Sequence, residues 1–159
     1  MKIATRLGYA DDEVRLLRLA ATVHDIGKIA VPAEILSKPT RLRTAEFAII
    51  KQHSRAGCDL LELAGLSREV TDAVLHHHER LDGSGYPQGL RGDEISAFAR
   101  ILAVADVVEA MVSYRPYLPA LDVEPALEEI QKGRGERCGP GACDACLQLF
   151  GDEGFAFAE

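Results

Sequence analysis

The sequence has no apolar leader core after Met1-Lys2, and nowhere does it run for about 18 uncharged apolar residues. Those absences argue against a cleaved export signal and a membrane-spanning helix, so a cytoplasmic location is expected. Positive charge is also short. With 18 Lys and Arg against 25 Asp and Glu, the net charge of -7 disfavours a long nucleic acid, whose affinity depends on phosphate neutralisation. A small anion bound by locally concentrated cations stays open. Strand-type alternation and internal repeats are missing too, which leaves an all-α bundle as the expected fold class.

Cysteine is sparse, at Cys58, Cys138, Cys143 and Cys146, and without an export signal these are expected to be reduced thiols. The last three read C-x4-C-x2-C, an echo of one iron–sulfur spacing. No fourth cysteine follows, and Leu147, Leu149 and Phe150 share their helix, so small apolar packing residues is the better reading.

What is present suits one core. A chain of 159 residues can bury a substantial fraction of its surface, and 47% hydrophobic residues with 27% charged excludes a disordered chain. Residues 1–150 are expected to be one domain that begins inside a helix, with 151–159 as a tail.

Met1 to Leu7 reads as final helical turns stopped by Gly8. Asp11 can cap a second helix whose stripe, Val14, Leu17 and Ala21, continues onto His24. Gly27 to Thr40, with Pro32 and Pro39, reads as a loop holding one helical turn at 33–36. Thr44 can cap a helix through Phe47, Ile49 and Ile50, which places His53 inward. Ser67 can cap the next, with Val70, Val74, His77 and His78 on its inner face and His76 about 100° away from His77. The stretch from Glu79 to Gly92 holds four glycines and a proline and cannot be regular. Ser96 opens the most apolar helix, and Asp106 lies in its middle, costly there unless paired or bound to a cation. Arg115-Pro116-Tyr117-Leu118-Pro119 breaks it. Asp122 and Pro140 can start two further helices.

Four of the five histidines (His24, His53, His77, His78) thus converge with Asp25 and Asp106. Imidazoles and carboxylates without thiolate suit iron, manganese, zinc or nickel, and a carboxylate able to bridge suits two ions close together. Lys28 adds an ammonium within reach of a phosphate.

His24-Asp25 with Gly27-Lys28, His53, His77-His78-Glu79-Arg80 with Asp82-Gly83 and Gly85-Tyr86-Pro87, Asp106 and Arg115-Pro116-Tyr117 together resemble the HD-GYP branch of the HD phosphohydrolases. The likeness covers nearly the whole chain. It implies a helical HD-domain bundle holding divalent metal ions, commonly iron or manganese, two of them here. It further implies hydrolysis of cyclic di-GMP to linear pGpG, GMP or both, with a metal-bridging hydroxide as nucleophile. By the same resemblance His24, Asp25, His53, His77, His78 and Asp106 would be the metal ligands, with Asp25 bridging. Lys28 and Arg115 would be the phosphate contacts. Gly85, Tyr86 and Pro87 would shape the rim, where GGDEF-type diguanylate cyclase domains are possible partners; a homodimer is also possible.

Some positions depart from the family pattern. One further ligand histidine, with a glutamate one turn before it, would fall ahead of Met1. Leu118 stands where a basic residue is frequent, Glu109 where Asp is usual, and Cys138-Gly139-Pro140 replaces a Phe-Asp-Pro-like segment. These departures leave a second reading open, a catalytically impaired HD-GYP module that binds a cyclic dinucleotide or a protein partner through the Gly-Tyr-Pro loop.

Overall fold

Gly8 adopts φ 80, and the amides of Leu7, Gly8 and Tyr9 fold back onto the carbonyls of Ile3, Thr5 and Ala4, closing α1 (Lys2–Arg6) as its composition predicts. This geometry comes from a computed structural model, which describes residues 2–112 and 123–152. After α1 the described chain forms α2 (Asp11–Val23), a 3₁₀ turn (Ile26–Ala30), α3 (Ala33–Leu36), α4 (Thr44–Lys51), α5 (His53–Leu63) and α6 (Arg68–His76). A short 3₁₀ turn (Gly92–Glu94) precedes α7 (Ala97–Val112), α8 (Val123–Gly133) and α9 (Pro140–Asp152). No strand occurs among the described residues, only two isolated bridges, so the fold is all-α. Arg115, Tyr117, Leu118 and the Asp122 cap lie outside the described residues.

Helix starts differ in detail from expectation. Asp11 and Thr44 are first helical residues rather than caps, and Ala10 and Arg43 take the extended N-cap conformation. Their amides donate to first-turn glutamates, Ala10 to Glu13 (2.9 Å) and Arg43 to Glu46 (2.7 Å). A carboxylate three residues on thus satisfies a group that no hydroxyl reaches. Ser67 holds the N-cap position of α6 with its side chain bonded to the Glu69 carboxylate rather than to a helix amide, whereas Ser96 accepts from Ala99 N (3.3 Å) at the start of α7.

Two apolar clusters hold the bundle. One joins α1, α2, α7, α8 and α9 through Ile3, Leu17, Val104, Ile130 and Leu149, and it includes Cys138, Cys143 and Cys146. The other joins α2, α5, α6 and α7 through Ala20, Leu61, Val70, Val74 and Leu102. Leu17, Leu102 and Ile130 are fully buried, each contributing about 1.5–3 kcal/mol. Because α2 and α7 belong to both clusters, the functional side chains at their ends and middles are held from two sides.

The expected helix through Phe47, Ile49 and Ile50 stops at Lys51, Gln52 intervenes, and α5 begins at His53. Phe47 and Ile49 are exposed, while His53, expected to face inward, is buried.

Candidate metal centre

Helix ends deliver most of the polar cluster. His24 is the C-cap of α2 and Asp25 follows with φ -97, ψ 5, turning the chain into the Ile26–Ala30 turn. Gly27 makes that turn possible where it lies. A Cβ there would sit 1.9 Å from the His53 carbonyl oxygen and 2.4 Å from Gly57 N, so the turn rests directly on the backbone of α5. That contact brings Asp25 to His53. His77 caps the C-terminal end of α6, His78 follows it, and Asp106 reaches in from α7.

The six predicted ligand candidates meet in one place. His24 Nε2 lies 3.4 Å from Asp25 Oδ2 and 3.5 Å from Asp106 Oδ1. His53 Nε2 lies 3.4 Å from Asp25 Oδ1, and His78 Nδ1 lies 3.8 Å from Asp106 Oδ2. The two oxygens of Asp25 therefore face two different imidazoles. His77 stands between, its ring centre 5.2 Å from that of His24, 5.5 Å from His53 and 4.0 Å from His78. Lys28 Nζ donates to Asp25 Oδ2 at 2.5 Å.

Three of the imidazoles share one arrangement. His24 Nδ1 donates to Ala21 O (2.8 Å), His53 Nδ1 to Ile50 O (2.7 Å) and His77 Nδ1 to Val74 O (2.6 Å), in each case the carbonyl three residues back. A carbonyl only accepts, so Nδ1 carries the proton and Nε2 presents a lone pair. In all three rings Nε2 is buried without a hydrogen-bond partner. Buried polar atoms are rarely left so, and three together call for a cation. The donors allow it: His53, His77 and His78 form one group of ligand atoms within 4.8 Å of one another, and His24, Asp25 and His77 form another. His76 lies against Asp72 Oδ1 (3.0 Å) instead; its Nε2 is also buried and unpartnered, but it stands in neither ligand group.

Electrostatics keep most of these rings ready for a metal. Burial lowers the pKa of His77 to about 4, and burial also lowers that of His53. His78 is lowered by burial and by His77 beside it. Burial opposes the charged form of His24 as well, but Asp106, the Ala21 carbonyl and Asp25 outweigh it and raise its pKa. Asp106, although buried, is held below the usual carboxylate range by His24, His78 and His77.

One residue of the His77-His78-Glu79-Arg80 motif gains a role that the motif alone does not state. Glu79 is 2% exposed, and its carboxylate accepts from the amides of Gln88 (2.6 Å), Gly89 and Leu90 (both 3.1 Å). It pins the glycine-rich loop to the end of α6. Gly85 passes so close that a Cβ would lie 2.4 Å from Arg80 N and Glu79 Cα. Tyr86, which precedes Pro87 in a cis peptide bond, then stacks on His78 with ring centres 4.7 Å apart. That triple acceptance, seen in space, gives the motif's Glu79 its structural role.

A family model described as HD domain matches residues 1–141. The chain belongs to the HD domain family, in its HD-GYP branch. This HD-GYP domain is 43% identical over 150 residues to the cyclic di-GMP phosphodiesterase response regulator RpfG of Xanthomonas campestris, covering 92% of this chain and 39% of that protein. It is 41% identical to a cyclic di-GMP phosphodiesterase of Thermotoga maritima, covering 93% of this chain and 41% of the relative. The HD-GYP chain thus spans less than half the length of these relatives. Among solved structures, Bd1817, an HDG"Y"P protein from Bdellovibrio bacteriovorus, matches the fold with a TM-score of 0.75 at 19% identity, over 93% of this chain and 47% of that one.

Proposed function

We propose that this domain is a metal-dependent phosphodiesterase that hydrolyses cyclic di-GMP to linear pGpG, GMP or both. The observation that carries the reading is the set of three buried Nε2 lone pairs on His24, His53 and His77, unpartnered and gathered around Asp25. The named activities of relatives 43% and 41% identical supply the substrate class. The donor set, four imidazoles and two carboxylates, suits iron or manganese.

In this reading His24, Asp25 and Asp106 hold one cation, His53, His77 and His78 hold a second, and Asp25 is shared. Two such cations, when bound, lower the pKa of a water from about 15.7 towards about 7 and neutralise the oxygens of the diester. The chain supplies the rest. The carbonyls of Ala21, Ile50 and Val74 fix the tautomers, so no ring has to turn during the reaction. Lys28 orients the shared carboxylate and places a positive charge where a phosphate would enter, as does Arg115 by the resemblance. Those charges give an acidic protein a local field that attracts an anion.

The test is incubation of the purified protein with Mn(II) or Fe(II) and cyclic di-GMP, with products separated chromatographically. Linear pGpG or GMP is expected from the wild type and none from D25A. An intact metal-loaded protein that leaves cyclic di-GMP uncleaved contradicts the reading.

A further inference from the structure

An aromatic ladder leads from the histidine cluster to the surface. The Tyr86 ring stacks on His78 at 4.7 Å with 30° between planes, and Phe47 meets Tyr86 edge-on at 6.2 Å and 82°. Lys51, one turn after Phe47 on α4, holds its ammonium 5.0 Å from the Phe47 ring centre and 5.1 Å from that of Tyr86. Phe47 is 43% exposed, a large apolar ring left facing solvent. Among the described residues Lys51 pairs with no carboxylate, whereas Lys38 on the neighbouring segment is taken up by Glu46 at 2.7 Å. A half-exposed ring and an ammonium held by cation–π contacts, paired with no carboxylate among the described residues, therefore share the rim that Tyr86 joins to the cluster. α4 ends at Lys51 before α5 begins at His53, and the loop pinned by Glu79 brings Tyr86 to the Phe47 ring.

We propose that Phe47 and Lys51 form a purine subsite that stacks one guanine of the substrate and reads its O6/N7 edge. The inference rests on the cyclic-dinucleotide reading above and adds the base contact that reading leaves open. The chemistry matches at each point. Every nucleobase offers a π-face to an exposed ring, whereas the pairing of O6 with N7 is particular to guanine and suits a cationic donor. Adenine presents an amino donor where guanine presents O6, so it would set a donor against Lys51. The subsite lies outside the metal centre, consistent with a base held beyond the ribose while the phosphate sits at the cations.

The test measures equilibrium dialysis of hydrolysis-resistant phosphorothioate analogues of cyclic di-GMP and cyclic di-AMP to the metal-loaded chain. Alongside it, hydrolysis of bis(p-nitrophenyl) phosphate, a diester without a base, reports on the wild-type metal centre. F47A is expected to weaken cyclic di-GMP binding about five- to a hundredfold, and F47W to restore it. K51M is expected to lower the preference for cyclic di-GMP over cyclic di-AMP by about the same range. Phe47 and Lys51 are surface residues, and a matched circular dichroism spectrum confirms that each variant folds. Wild-type affinity in both variants overturns the proposal, as does a wild type that cleaves the base-free diester yet binds neither dinucleotide. A wild type that binds cyclic di-GMP, weakens on F47A and cleaves nothing supports the subsite and defeats the hydrolytic reading.

Discussion

Two buried groups of metal-capable side chains stand in this domain, and their surroundings set them apart. Cys138, Cys143 and Cys146 lie within the larger apolar cluster beside Ile130, Ala142 and Leu149. Burial pushes the Cys146 thiol up to about 11, and Cys143 is raised by its neighbour Cys138 and by burial. Cys143 and Cys146 thus stay protonated and pack as small apolar groups, whereas Cys138 is lowered to about 7 by its hydrogen bond with Cys143. Among the histidines of the cluster, three keep a buried Nε2 lone pair without a partner, and two carboxylates stand beside them. Spacing in sequence suggests metal binding for both groups. The unsatisfied atoms distinguish them, and among the described residues the three cysteines do not gather as a ligand group.

The largest effect that would break this contrast comes from the histidine side. H77A removes a proposed ligand of the second cation whose ring also lies within 4.8 Å of the His24 and Asp25 donor atoms, and bound metal and diester hydrolysis should each fall at least about a hundredfold, since even an outer partner of a ligand is worth 10–100-fold. Elemental analysis and a rate assay check it, and a variant that retains its metal would break the assignment. Next comes G27A, whose Cβ would meet the His53 carbonyl at 1.9 Å. It should cost about 1–3 kcal/mol, read by urea unfolding, and should lower metal affinity because Asp25 and His53 are pushed apart. E79A should cost about 1–3 kcal/mol by leaving three loop amides without their acceptor, with Tyr86 loosened from His78. Proteolysis within 83–92 reads that loosening. The smallest effect belongs to the other group: C143A should cost about 1 kcal/mol and leave the metal content unchanged. Metal lost from C143A would erase the distinction.

Acid sharpens the same contrast in the metal-free protein. His77 titrates at about 4 when folded against 6.5 ordinarily, because burial penalises its charged form. The unfolded chain therefore takes up the proton first, and stability should fall as pH drops from about 6.5 to about 4. Thermal melts of the chelated protein across that window check it. H77Q should flatten the trend, and added Mn(II) should oppose it by competing with the proton.

Much of the bundle was legible in the sequence. Apolar stripes at helical spacing placed α2, α6 and α7, and extending those stripes onto His24, His77 and Asp106 turned each of them toward the others. Gly8 announced the end of α1. What escaped depends on how helices cross. Gly27 reads as a loop glycine until the backbone of α5 is found against it, and Glu79 reads as a motif residue without a stated role until three amides converge on it. Phe47 and Ile49 read as members of an apolar helix, but sequence does not tell whether a neighbour covers them, and both are exposed on α4.

The account stands most directly on where cations settle. A crystal grown with Mn(II), recorded on both sides of the manganese absorption edge, should show anomalous density between the Nε2 atoms of His24, His53 and His77 and the oxygens of Asp25. Density absent there, or located among Cys138, Cys143 and Cys146 instead, would contradict it.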